Sequence, residues 1–199
     1  SLENLVKDTN IIVVSDEVYE HIIFDDVAHQ SACLFDGLKE RSFIVASFGK
    51  TFHNTGWKMG YCAAPEVLMK EFRKVHQFNV FSANHPIQIA LAAYLKNASN
   101  YLDLNAFYQQ KRDFFLNAIK TSRFKVIPSS GTYFQLLDYS AITTKSDVDF
   151  ATELVKKNKI AAVPISVFND NGLDQKLLRF CFAKKEETLS KAAEILCSI

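Results

Sequence analysis

Three side chains in this sequence have the type and placement to do chemistry: Lys50, Asp16 and Arg179. Lys50 follows the apolar run Ser42-Phe43-Ile44-Val45-Ala46-Ser47, in the segment Phe48-Gly49-Lys50-Thr51. That run reads as a buried strand, and open α/β sheets bind ligands at the carboxyl ends of their strands. An amine partly withdrawn from water at such an edge becomes a nucleophile. A single lysine in a loop is more commonly a solvated surface group. The neighbours shift that balance here: Gly49 lets backbone approach closely, and Ser47, Thr51 and Lys58 can contact an anion. Asp16 follows a second run, the β-branched Ile11-Ile12-Val13-Val14, with Tyr19 three residues on. A carboxylate at a strand exit can hold a proton on a heteroaromatic nitrogen, and a nearby phenol can bond an adjacent oxygen. Taken singly, Asp16 reads as a helix cap and Tyr19 as packing. Arg179 interrupts Leu177-Leu178-Arg179-Phe180-Cys181-Phe182, where alternation sets Leu178, Phe180 and Phe182 on one face. A guanidinium in so apolar a strand needs an anionic partner, either a structural salt bridge or a ligand carboxylate clamped by two hydrogen bonds.

The elements that must position these groups fall into two textures. Residues 1–100 contain three short apolar runs, each leading into polar residues or a turn: Ile11–Val14, Ser42–Ser47 and Met59–Ala64. Three buried strands within this span predict an α/β layer. Pro65-Glu66 opens a helix carrying Leu68, Phe72, Val75 and Phe78, and Ile87–Leu95 is helical in composition. A longer amphipathic helix is predicted over Tyr101–Ile119, long enough to connect two domains. Beyond it, strands are expected at Phe124–Pro128, Tyr133–Leu137, Ile160–Val167 (an edge, given Pro164) and Leu177–Ala183. Helices are expected over Val148–Asn158, capped by Asp147, and over Glu186–Leu196. Residues 101–199 thus read as a small α+β domain.

Composition limits the partners. The chain has 199 residues, 48% of them apolar and 23% charged, enough to bury a core. A net charge of +1 provides no basic field for nucleic acid. No apolar run suggests a membrane span, and the polar start Ser-Leu-Glu-Asn suggests no secretory signal. Cys33, Cys62, Cys181 and Cys197 lack metal-ligand spacing and read as reduced thiols in a reducing cytoplasm, so no metal site is expected.

Three segments taken together resemble the class I/II aminotransferases, enzymes of fold type I that depend on pyridoxal 5'-phosphate (PLP). They are Ser15-Asp16-Glu17-Val18-Tyr19-Glu20, then Ser47-Phe48-Gly49-Lys50-Thr51-Phe52 through Thr55-Gly56-Trp57-Lys58-Met59-Gly60-Tyr61, and Arg179-Phe180-Cys181-Phe182-Ala183. Gly49 and Lys58 look most like the kynurenine aminotransferase group. Val80–Leu95 and Arg179–Lys185 look closest to bacterial methionine aminotransferases. The resemblance implies that residues 1–100 are the later part of the three-layer α/β/α PLP-binding domain and 101–199 the small C-terminal domain.

It also implies roles. Lys50 would join the cofactor and move the proton. Asp16 would keep the pyridine nitrogen protonated, and Tyr19 would bond the ring 3-oxygen. Ser47 and Lys58 would hold the phosphate, Lys58 standing where many relatives have arginine. Arg179 would clamp the substrate α-carboxylate. The implied activity is transfer of an amino group between an amino acid, with methionine or aromatic ones favoured, and a 2-oxo acid, in a cytoplasmic homodimer. A carbon–sulfur β-lyase on the same scaffold and a non-catalytic PLP-fold binding module are the competing readings. The glycine-containing phosphate loop, the ring-stacking aromatic and the asparagine of the family's N-terminal half find no counterpart here. The chain is therefore expected to be a fragment of a longer enzyme.

Overall fold

Three strands organise the first part of the chain: β1 (Val13–Asp16), β2 (Ser42–Ser47) and β3 (Gly60–Ala63), side by side in that order. β1 and β2 are parallel, with Asp16 beside Val45, whereas β3 runs antiparallel, with Gly60 opposite Ser47. The computed structural model describes residues 1–199. It divides them into one unit of Ser1–Ile23 and Val27–Leu104 and a second of Phe24–Asp26 and Asn105–Ile199.

The first strand is shorter than its apolar run. Pairing begins at Val13, whose N–H donates to Arg41 O at 2.9 Å, so Ile11 and Ile12 stay outside the ladder. Nor is the strand buried on both faces. One face packs Val13 and Ile44 on Val6, Ala32 and Leu38, which come from the short helices α1 (Leu2–Val6) and α2 (Asp36–Lys39) and the turn preceding α2. The other face leaves Val14 67% exposed. Arg41 ties this layer together, donating to the carbonyls of Val6 (2.6 Å) and Thr9 (2.8 Å) past the end of α1. Helix α3 (Phe48–Thr51) follows β2 directly. Further on come α4 (Glu66–Asn79), α5 (His85–Tyr94) and α6 (Ser99–Leu102). Asn84 caps α5, its Oδ1 accepting from Ile87 N at 3.1 Å.

The predicted helix over Tyr101–Ile119 is two helices. Asp103 ends α6 with ψ near −5°, and α7 (Leu104–Ala118) starts afresh. In the second unit β4 (Lys125–Ile127), β5 (Phe134–Asp138), β6 (Val163–Pro164) and β7 (Leu177–Cys181) form an antiparallel sheet in the order β4-β5-β7-β6. Alternation buries Leu178, Phe180 and Phe182 against α7, α8 (Asp147–Glu153) and α9 (Glu186–Ser198), whose own buried residues include Phe115, Phe150 and Leu196. Pro164 lies on the edge strand, where its missing N–H costs no ladder bond. Only Val163–Pro164 of the apolar stretch pairs as a strand; a 3₁₀ turn at Ser166–Phe168 takes up its end.

The cap of α8 is Ser146, not Asp147. Ser146 Oγ accepts from Asp149 N at 3.1 Å, and the carboxylate of Asp147 turns inward instead. The helix closes in a π turn, Leu154–Asn158. Arg112 of α7 is buried and grips Asp25 with both terminal nitrogens, at 2.6 and 2.7 Å, and also donates to Ser129 O. Its guanidinium lies 4.8 Å from the Phe24 ring centre. This pair, with Phe24 N donating to Ser130 O at 2.9 Å and Asp25 N to Gln109 Oε1 at 3.0 Å, holds Phe24–Asp26 to the second unit.

Candidate active site

Lys50 stands on α3, a single turn launched from the carboxyl end of β2. Ser47 caps that turn, its Oγ accepting from Gly49 N at 3.0 Å. The turn is folded tightly under the following loop. Gly49 O accepts from Asn54 N at 3.1 Å and from Thr55 Oγ1 at 3.2 Å. A Cβ on Gly49 would lie 2.9 Å from Thr55 Cα, so only glycine fits. Phe48 stacks on Phe52 (6.0 Å) and tilts against Tyr61 (5.8 Å), bracing α3 from below. The lysine side chain is half-buried at this edge.

Asp16 ends β1 on the neighbouring parallel strand, so its carboxylate and the Lys50 turn issue from the same sheet edge. The carboxylate is exposed and accepts from Val18 N at 3.2 Å. Tyr19, half-buried in the turn beyond β1, accepts at its carbonyl from Ile22 N. Lys58 reaches this edge by a different route. It adopts a left-handed conformation (φ 54°) after the 3₁₀ turn Thr55–Trp57 and precedes Gly60, the partner of Ser47. The intervening Met59 O accepts from Phe48 N at 3.1 Å. The strand pairing of β2 with β3 is therefore what returns Lys58 to the Ser47 end. Its ammonium is exposed.

Two acids beside Asp16 face elsewhere. Glu17 is buried, and its carboxylate accepts from Ser15 Oγ (2.9 Å) and Ala32 N (3.0 Å) and meets His29 Nε2 at 2.9 Å. Burial alone would raise its pKa; the hydrogen bonds of His29, Ser31, Ala32 and Ser15 together hold it below the ordinary value. Glu20 accepts from the Tyr61 hydroxyl at 2.5 Å. Burial first, then Glu20, push that phenol well above its usual pKa. Together with His21, Ser47, Phe48 and Tyr101 these two line a cavity of about 230 Å³.

Arg179 belongs to the second unit, on the central strand β7 between Leu136 of β5 and Val163 of β6. The structural salt bridge open to it in the sequence is not formed. Its guanidinium instead contacts two rings, 4.4 Å from the centre of Phe134 and 5.0 Å from that of Phe168. Its Nε is buried without a hydrogen-bond partner. The residue pattern does not single out Phe134 or Phe168, because an aromatic in an apolar run reads as core. The usable signal is register: Phe134 lies two positions from Leu136, diagonal to Arg179 on the same face.

The family model for aminotransferase class I and II matches residues 1–196. The chain is 51% identical over 187 residues to a methionine aminotransferase of Escherichia coli, covering 94% of this chain and 48% of that protein. It is 32% identical over 206 residues to kynurenine–oxoglutarate transaminase 3 of Bos taurus, covering 93% of this chain and 45% of that one. A solved Escherichia coli structure described as having a methionine aminotransferase function superimposes with a TM-score of 0.95 at 49% identity, covering all of this chain and 53% of that one. The chain spans about half the length of the relatives it matches.

Proposed function

Because this chain belongs to the class I and II aminotransferases, we propose that the whole protein is a PLP-dependent enzyme that moves an amino group between an amino acid and a 2-oxo acid. Methionine or aromatic amino acids are the favoured donors, and a cytoplasmic homodimer the favoured state. The observation that supports this reading most directly is the carboxyl edge shared by β1 and β2, where a carboxylate and a primary amine leave adjoining strands.

The residues at that edge fit the cofactor. Asp16 is accessible and keeps lone pairs for a ring N–H beyond its contact with Val18 N. Ser47 at the end of β2 and the exposed ammonium of Lys58, two residues before Ser47's partner Gly60, suit a phosphate. When bound, PLP supplies an electron sink for the negative charge that develops at the substrate α-carbon. Asp16 would hold the ring nitrogen and keep it protonated. Tyr19 would donate to the ring oxygen. Lys50 Nζ would hold the cofactor and act as the base for the substrate α-proton. Arg179 holds the substrate carboxylate with its in-plane N–H groups, and the partnerless Nε supports that role.

Borohydride reduction of the PLP-loaded whole protein, followed by peptide mapping, tests the assignment. A pyridoxyl group is expected on Lys50, and its recovery on any other lysine would overturn the site.

A further inference from the structure

A buried acid anchors the turn whose aromatic ring lies over Arg179. Asp147, at the first position of α8, is 1% exposed. Its Oδ2 accepts from Ser166 N at 2.7 Å and its Oδ1 from Ser166 Oγ at 2.6 Å. Its own N–H donates to Asp174 Oδ2 at 3.2 Å, and Asp174 in turn pairs with Lys176 at 2.6 Å. Both carboxylate bonds therefore land on the first residue of the Ser166–Phe168 turn. The last residue of that turn, Phe168, covers one face of Arg179. Phe168 is 61% exposed, so burial does not hold its ring in place; the turn that carries it does. Phe134 is the second ring over the guanidinium, 4.4 Å from it, and the N–H donors of Arg179 lie in the guanidinium plane.

We propose that Asp147 is a positioning residue. Through Ser166 it fixes Phe168, and Phe168 with Phe134 sets the plane in which Arg179 offers its N–H edge to a ligand carboxylate. Asp147 itself touches no ligand. The inference rests on the reading of Arg179 as the carboxylate-binding group, and the test separates the two.

The probe is 4-(methylthio)butyrate, a carboxylate with no amine to react, compared with its methyl ester. Binding of each to the PLP-loaded whole protein is measured by calorimetry, beside kcat and KM for methionine. Asp147→Ala and Phe168→Ala are each expected to weaken carboxylate binding roughly tenfold, the size typical of coupled neighbours, with the ester unaffected and KM changed more than kcat. Asp147→Asn is expected to retain wild-type affinity, since its carbonyl can accept from Ser166 N while its amide donates to Ser166 Oγ. Equal weakening of acid and ester, unchanged carboxylate affinity in Phe168→Ala, or an Asp147→Asn variant as weak as the alanine variant would each overturn the proposal. Phe168→Ala removes an exposed ring and decides the matter if Asp147→Ala does not fold. Arg179→Ala tests the underlying reading: unchanged carboxylate binding there would remove the clamp itself, whatever Asp147 does.

Discussion

Strand alternation sends Asp16 and Glu17 to opposite sides of one chain segment, and their chemistry diverges accordingly. Asp16 faces outward, where a ligand can reach it. Glu17 faces inward and is anchored by His29, Ser15 and Ala32, which locks the backbone that carries Asp16. Because its pKa is depressed in the folded state, Glu17 contributes stability that is present above the ordinary value of 4.5 and lost as the pH falls through the folded value. In urea unfolding across a pH series, the stability gap between wild type and Glu17→Gln should be full near neutrality and shrink in acid below about pH 4.5. A gap constant down to the acid limit would show that the carboxylate charge plays no part. On the role proposed for Lys50, as both nucleophile and proton carrier, Lys50→Ala in the whole protein is expected to reduce transamination by about 1,000-fold or more. Single-turnover absorbance with methionine reads this directly.

Among the elements, local chemistry is decided by contacts only a residue or two from where sequence logic sets them. Ser146, not Asp147, caps α8, and its hydroxyl also donates to Asp149 Oδ2 at 2.7 Å. Ser146→Ala should therefore cost about 1 kcal/mol in thermal or chemical unfolding. Gly60 matters for a different reason. A Cβ there would lie 2.4 Å from Ala46 O, inside the ladder that joins β3 to β2. Gly60→Ala is expected to destabilise by roughly 2 kcal/mol or more, because backbone rather than a movable side chain must yield. Since the same ladder returns Lys58 to the Ser47 end, weaker PLP retention should accompany that loss, measurable by cofactor fluorescence during dialysis. Normal retention in a destabilised variant would break the link between this pairing and the proposed phosphate site.

For the molecule as a whole, the apolar surface matters most. Val67, Val75 and Phe78 recur on one side of α4 with exposures of 70%, 68% and 88%, and Phe81 just beyond is 82% exposed. Scattered apolar side chains are normal on a surface, but a repeated stripe of this kind leaves an unusually apolar exposed face. The 199-residue chain on its own should enhance the fluorescence of an apolar dye, and Phe78→Ser with Phe81→Ser should reduce that signal. A signal equal to that of a well-packed control protein would show that the stripe is covered. In the second unit Arg112 bridges residues far apart in sequence. Its hydrogen bonds, with a smaller coulombic contribution, lower the pKa of Asp25, and this contact too should fail as the solution is acidified through the carboxylate range.

The sequence by itself determined the family, the strand-exit lysine and acid, and the alternation that buries Leu178, Phe180 and Phe182, because these depend on residue type at short, regular spacing. Most helices and the β2 strand were legible for the same reason. Tertiary structure decided what spacing cannot encode. It ended the Tyr101–Ile119 pattern at Asp103, turned Asp147 inward, and returned Lys58 to the Ser47 end through an antiparallel partner. It also gave Arg179 two rings in place of a carboxylate. Each of these depends on which segments meet across long stretches of chain, and an aromatic or acidic residue looks the same in sequence whichever neighbour the fold supplies.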